Sequence, residues 1–419
     1  MAVREVVAPA VLAPTLPGSA TEAVAHAPGT ATLADARGQA VLATFTSAHF
    51  SHHVITSLLN PMMPFIRDAF AINYAQSGFL VSAFSMSMGI SNAPIGMLAD
   101  RFGSRPVIAV GLLLTGGISI ALAFAQAYWQ LFALLITLGV IAGTYHAPAA
   151  AIMARIFDPK VRGAAMGFHI TGGHFSFFIT PIIAAWLVAG SGDWRTPYQW
   201  LAIAPLLLGV AVWYLSPRDP AHQATGVSRL AVFREVGTVL RTVGPLVTAS
   251  ILFQMMWAAI FAFTTLYFVD VRGMSATTAA MLFGIPNFVG IAGAPLGGFI
   301  SDRMGRRAVI LFAVGLLGPA MLLLTQVPNE LIWVPLGLAG IATSMRMAVT
   351  ETLVLESAPS HRRATIVGSY HMITQELGGL AAPLVGLLAA AVGIGLAFSS
   401  ITTVLAAASI AVVLLRNRL

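Results

Sequence analysis

The sequence contains no cysteine. That excludes disulfides, thiolate nucleophiles and thiolate metal ligands, and cysteine usage gives no hint of redox compartment. Charge is scarce too. Only 9% of the 419 residues are Asp, Glu, Lys or Arg, against about 25% in a soluble globular chain. A chain that is 58% hydrophobic has too little polar surface to face water, so its solvent must be lipid. Acidic residues are the rarer sign, 15 against 22 basic. The basic residues are scattered over short loops without interleaved aromatics, so nucleic acid is not an expected partner.

Reading between charged or Pro/Gly-rich breaks gives twelve apolar stretches, at about 42–66, 75–98, 107–126, 129–153, 163–189, 198–215, 244–269, 276–300, 308–326, 331–355, 364–389 and 393–415. Each approaches the roughly 20 residues that a spanning helix needs. They are too long and too uniform for the alternating strands of about ten residues in an outer-membrane barrel. Placing the N-terminus inside puts 18 of the 22 Lys and Arg in inside segments, leaves Arg67, Arg195 and Arg272 outside, and puts Arg346 within a span. Positive charge gathers on the cytoplasmic side, so both termini are expected there. Residues 1–40, rich in Ala, Pro and Thr, read as a disordered cytoplasmic tail. A cleaved leader is not expected, since no basic start precedes an unbroken apolar run.

One loop occurs twice. Gly96-Met-Leu-Ala-Asp100-Arg101-Phe-Gly103-Ser-Arg105 returns as Gly298-Phe-Ile-Ser-Asp302-Arg303-Met-Gly305-Arg306-Arg307, with the aspartates 302 − 100 = 202 residues apart. The same offset joins His169 to His371 and Pro181 to Pro383, and sets His174 against Glu376. The chain therefore divides into six-helix halves, 41–215 and 244–419, joined by a polar linker over 216–243. The loop glycines should let helix ends approach closely. The aspartates should sit near helix N-termini, where a carboxylate is favoured. The arginines, with Arg162, should pair with Asp158 or Glu356 to latch one face. Gly96, Asp100, Arg101, Gly103, Arg105, Gly298, Asp302, Arg303, Gly305, Arg307, Arg162 and Glu356 are thus the expected gating residues.

On the repeated loop, the basic central segment and the two sets of six spans, the chain resembles a major facilitator superfamily transporter. That resemblance covers about residues 42–415 and implies an all-α membrane protein of two pseudo-symmetric bundles, a transporter rather than an enzyme. It departs from the family's loop pattern at Ser104 and Ile300. Gly143-Thr-Tyr145-His146-Ala-Pro148, followed by Gly172-Gly173 ahead of Pro181, is similar to fosmidomycin-resistance-type exporters. Leu135 and Thr180-Pro181 stand where drug–proton antiporters carry Arg and Gly-Pro.

Charge in a span costs about 2.5–3.5 kcal/mol at the membrane centre, so each such residue needs a reason. Arg346 shares a helical stripe with Thr343 and Thr350. It is expected to line a water-filled cavity and grip a carboxylate, phosphate or phosphonate through paired hydrogen bonds, or else to bridge to Glu376. Thr46, His49, His53, Thr56 or Ser57, and Asn60 form a polar stripe on the first span. His49, His53 and Asn60 of that stripe, with Arg346, Tyr145, His146 and Thr350, make the expected solute-binding set. Glu376, His174, Glu351, His169 and His371 are the expected proton carriers, since imidazoles titrate at cellular pH. The partners expected are a small solute, protons and lipid, acting on a monomer without cofactor. Two other functions stay open. One is a transition-metal or metal-complex transporter using membrane His and Met; the other is a drug-efflux antiporter. His49-x-x-His52-His53 also matches one diiron desaturase box, but those enzymes need several. A sensor would carry a soluble output domain, and none is visible.

Overall fold

A computed structural model describes residues 31–158, 161–217, 229–357 and 363–415. The side chains of Asp100, His371 and Glu376 lie outside the described residues. The N-terminal half comprises α1 (Ala36–Thr56), α2 (Leu59–Phe70), α3 (Tyr74–Phe102), α4 (Ser104–Ala123), α5 (Tyr128–Ala142), α6 (His146–Ile156), α7 (Arg162–Ser191), α8 (Arg195–Trp200) and α9 (Ile203–Leu215). The C-terminal half comprises α10 (Arg229–Asp270), α11 (Ala276–Leu282), α12 (Ile285–Met304), α13 (Arg306–Leu324), α14 (Trp333–Ser357), α15 (Arg363–Val392) and α16 (Ile394–Leu414).

These helices make twelve spans, because four spans are broken in the middle. Each break has a proline about four residues after it. A proline's ring collides with the carbonyl four residues back and its nitrogen donates no hydrogen bond. Pro61, Pro148, Pro205 and Pro286 place that collision at Ser57, Thr144, Leu201 and Leu282, the junctions α1/α2, α5/α6, α8/α9 and α11/α12. Gly244 interrupts α10 for a related reason. It precedes Pro245, a position hostile to helix, and takes φ 70°, ψ −179°.

Two boundaries differ from the sequence reading. Residues 31–40, read as part of a structureless tail, are in place. Ala31 exchanges backbone hydrogen bonds with Ile156 (2.8 Å) and Asp158 (3.1 Å), and Asp35 caps α1 by accepting from the Gly38 N–H at 2.6 Å. A short apolar contact, with Ala31 2% exposed, outweighs the polar composition around it. Residues 229–243, read as linker, are helical and run into the seventh span; 218–228 lie outside the described residues.

The repeat seen in the sequence is also a repeat of backbone. Gly103 adopts φ 91°, ψ 150° between α3 and α4, and Gly305 adopts φ 86°, ψ 147° between α12 and α13. Only glycine takes that conformation without strain, so one residue turns the chain in each half. This end of the molecule is the motif face. The close helix approach expected at Gly96 and Gly298 is absent: among the described residues, a Cβ at either would meet nothing within 4 Å.

At the opposite end the halves are in tight contact. A Cβ on Gly386 would lie 2.4 Å from the Tyr74 carbonyl oxygen, and one on Gly284 2.6 Å from that of Phe178. One apolar core runs through both halves here, from Ile55, Leu58, Met62 and Ile66 to Phe263, Leu266 and Phe398. Toward the motif face each half has a core of its own. Phe45, Ile108, Tyr145, Ile152 and Phe157 form the first, and Val247, Ile251, Val354 and Tyr370 the second. Among the described residues, burial of apolar area, at roughly 25 cal/mol per Å², therefore binds the halves together chiefly at the end away from the motif face.

Candidate functional site

Two polar clusters lie within the bundle, one in each half. In the N-terminal half the break at Thr144 ends α5 and starts α6 at His146, beside α1 and α7. The Tyr145 ring is fully buried and donates from its hydroxyl to the Phe45 carbonyl at 2.8 Å. It stacks on His49 (5.3 Å, 9°) and His52 (4.9 Å, 17°). His49 stacks in turn on His169 at 4.4 Å. His49 Nδ1 lies 2.9 Å from the His169 carbonyl, and His169 Nδ1 lies 3.2 Å from that of Phe45. A carbonyl only accepts, so both Nδ1 atoms carry the proton. His53 Nε2 meets His49 Nε2 at 3.1 Å, and His53 Nδ1 meets Thr56 Oγ1 at 3.0 Å. His146 is half-buried, 5.1 Å from His53 between ring centres. His174 is half-buried on α7. The side-chain oxygens of Thr46, Ser57 and Asn60 on the same stripe are buried without hydrogen-bond partners among the described residues.

In the C-terminal half Arg346 is 0% exposed. It does not line an open cavity, which corrects the sequence reading. The stripe of Thr343, Arg346 and Thr350 packs against α10 instead, because α10 offers polar groups one turn apart. Arg346 donates from Nη1 to the Ser250 carbonyl and hydroxyl, both at 2.8 Å, and from Nη2 to Gln254 Oε1. Ser250 and Thr350 hydroxyls bond at 2.8 Å. Among the described residues Arg346 Nε has no partner and no carboxylate reaches the guanidinium. Gln254 is only partly buried, so it caps the guanidinium on its more open side. Glu351 is exposed on α14, and the Tyr370 hydroxyl lies within electrostatic reach of both Glu351 and Arg346. The 202-residue step carries Gln254 onto His52 and Arg346 onto Thr144. The two clusters therefore occupy equivalent places in the two halves.

The gating residues fall into three groups. Asp302 sits in the last turn of α12, not at a helix N-terminus, and accepts from Arg306 at 2.6 Å. Arg306 also holds Glu356 at 2.9 Å, so it links α12, α13 and α14 within one half. Arg101, Arg105 and Arg303 lie over Phe102, Trp213 and Phe299 respectively, and Arg105 also donates to the Trp213 carbonyl. Arg162 approaches the Phe157 carbonyl at 3.5 Å.

Sequence reasoning missed the contact that joins the halves. At the end away from the motif face, Arg67 of α2 pairs with Asp270 at the end of α10, and with Asp68 at 2.8 Å. Tyr74 donates to Asp270 at 2.8 Å, and Thr265 donates to the Asn60 carbonyl at 2.9 Å. The signal was present: Asp68 and Asp270 are themselves 202 residues apart.

The comparisons with known proteins agree with this architecture. The family model of the Major Facilitator Superfamily matches residues 45–383 and 291–418. The cis,cis-muconate transport protein of Acinetobacter baylyi is 25% identical over 364 residues, covering 81% of this chain and 85% of that protein. The fosmidomycin resistance protein of Escherichia coli is 22% identical over 353 residues, covering 83% and 86%. A crystal structure of a bacterial homologue of the human lysosomal transporter Spinster, inward-facing and unoccupied, superposes with a TM-score of 0.75 at 17% identity, covering 91% of this chain and 96% of that one. These relatives are membrane transporters, not enzymes. Twelve spans in two halves, a motif loop repeated in backbone as well as in sequence, and the family match make this chain a member of the major facilitator superfamily.

Proposed function

We propose that the protein is a proton-coupled secondary transporter of a small organic anion, working by alternating access in a cell inner membrane with both termini cytoplasmic. The carrying observation is the buried Arg346, whose charge meets no carboxylate among the described residues. A buried ion without a counter-charge costs several kcal/mol. A carboxylate or phosphonate solute that displaces the Gln254 amide would supply that charge and use the unpartnered Nε–H in a bidentate bond. The name of one relative, a cis,cis-muconate transport protein, fits such a solute, and another is called a fosmidomycin resistance protein. Glu351, near Tyr370 and Arg346, and Glu376, on the neighbouring α15, are the proposed proton carriers of this half. The shared core at one end and the divided cores at the other support a cavity that opens toward the motif face.

Arg346→Lys and Arg346→Ala in proteoliposomes test the reading. Each should abolish anion uptake driven by an imposed pH gradient while the protein remains monodisperse. Normal uptake by either variant refutes the anion grip. In the same assay Glu351→Gln and Glu376→Gln should preserve anion counterflow but not pH-driven accumulation. If both variants keep the wild-type dependence on the gradient, proton coupling through these carboxylates is refuted.

A further inference from the structure

We propose that His49, His53 and His146 form a binding site for one divalent transition-metal ion, distinct from the anion grip on the other half. Their ligand atoms all lie within 4.8 Å of one another. Two imidazole nitrogens, each about 2.0–2.1 Å from a tetrahedral zinc, stand roughly 3.4 Å apart. The Nε2 atoms of His49 and His53 are 3.1 Å apart, already close to that spacing. His146 needs to close in by at most about 1.4 Å, and it sits at the start of α6, beside the break in the fourth span, where the backbone is not tied into a continuous helix.

The tautomers decide what this cluster can hold. His49 Nδ1 must donate to the His169 carbonyl, so its Nε2 presents a lone pair. The Thr56 hydroxyl has two uses. It can donate to His53 Nδ1, leaving His53 Nε2–H to donate to His49. Or it can donate to the His52 carbonyl, 3.2 Å away, and accept from His53 Nδ1–H. In the second arrangement two lone pairs converge across 3.1 Å, and a metal ion beside them would take both. Imidazoles that ligate metals have their other nitrogen donating to a carbonyl or other oxygen, and both His49 and His53 have that oxygen in place. His52 Nε2, 1% exposed and without a hydrogen-bond partner among the described residues, adds a further buried imidazole at the same place.

The donor set selects the ion. Neutral imidazoles suit zinc, nickel, copper and iron, whereas magnesium and calcium prefer oxygen. Three nitrogens leave a fourth tetrahedral position for water or for an oxygen of a bound ligand. Binding would displace no proton from the site when His53 is already in its Nδ1–H form, and would pin α6 to α1 across the broken fourth span.

The test is cobalt titration of the full chain, carrying no polyhistidine tag, followed by visible d–d absorption, with zinc competition by calorimetry and magnesium as control. The expected result is a single tetrahedral cobalt site, displaced by zinc and not by magnesium. His53→Ala and His146→Ala should each weaken it at least about 100-fold. Thr56→Val keeps all three rings but removes the oxygen beside His53 Nδ1, and should weaken binding about 10- to 100-fold. Cobalt binding that is absent below millimolar concentration, or that is unchanged in both ring variants, overturns the proposal. Its failure is separable from failure of the transport reading: Arg346→Ala should bind cobalt as the wild type does, and anion uptake should be measured on chelator-treated protein.

Discussion

Breaking the Arg67–Asp270 pair should open the end of the molecule that the structure shows closed. The side chains are 16% and 19% exposed. Fully exposed pairs contribute about 0–1 kcal/mol, and removing one partner of a fully buried pair costs about 3–5 kcal/mol. A pair four-fifths buried, and further bonded by Tyr74, falls between, at about 2 kcal/mol. That corresponds to about a 30-fold change in an equilibrium constant, so a population about 95% closed would fall to about 40%. The chain has no cysteine, so spin labels attach only where cysteines are introduced. Gln126→Cys and Glu330→Cys put one label on each half at this end, on exposed positions. Pulsed electron paramagnetic resonance should show one short distance in the parent and a second, longer one in Arg67→Ala and in Asp270→Asn. The double variant should be no more open than either single one, because both remove the same contact. Identical distance distributions in parent and variants would refute the assignment of this pair as a clamp.

Two further predictions concern glycine. Gly305→Ala should lower the melting temperature by forcing an L residue to φ 86°, at a cost on the order of 1–3 kcal/mol, while Gly298→Ala at the other end of the same loop should leave it nearly unchanged. Gly386→Leu drives a side chain into the Tyr74 backbone, 2.4 Å from where its Cβ must sit. In the spin-labelled background it should shift the population toward the long distance as the charge variants do, and a parent-like distribution would show that the helix packing is not as tight as described.

The spans were legible because apolar length is a one-dimensional property. The four broken spans were less legible: each carries a proline about four residues after the break, but Pro94, Pro181, Pro295, Pro319 and Pro383 sit inside continuous helices, so proline alone does not mark a break. The repeated loop carried its register into the backbone angles of Gly103 and Gly305. What a single sequence does not encode legibly is pairing between segments. Arg67 and Asp270 are 203 residues apart, and a lone arginine between two spans looks like an ordinary loop charge. The sequence marks Arg346 as a charge that needs a partner, either an anionic solute or Glu376. Among the described residues the structure gives it Ser250 and Gln254, polar residues one turn apart on α10, while the side chain of Glu376, the acidic partner expected, lies outside them. Glutamine at 254 was the available signal, and it carries no formal charge to draw attention. The Nε2 contact of His49 and His53 follows from their i, i+4 spacing, whereas the arrival of His146 and Tyr145 depends on a helix break in another span.

The Arg67 contact also bears on how a duplicated protein acquires a direction. Duplication gives both halves the same carboxylate, Asp68 and Asp270, but the position equivalent to Arg67 is Val269. Two arginines at a twofold seam would face each other and repel; two valines would leave two carboxylates to do the same. Retaining the cation in one copy alone lets a single guanidinium serve both acids. The seam becomes self-complementary only by ceasing to be symmetric, so later substitutions on the two sides of it are no longer interchangeable, and neither half can be replaced by a second copy of the other.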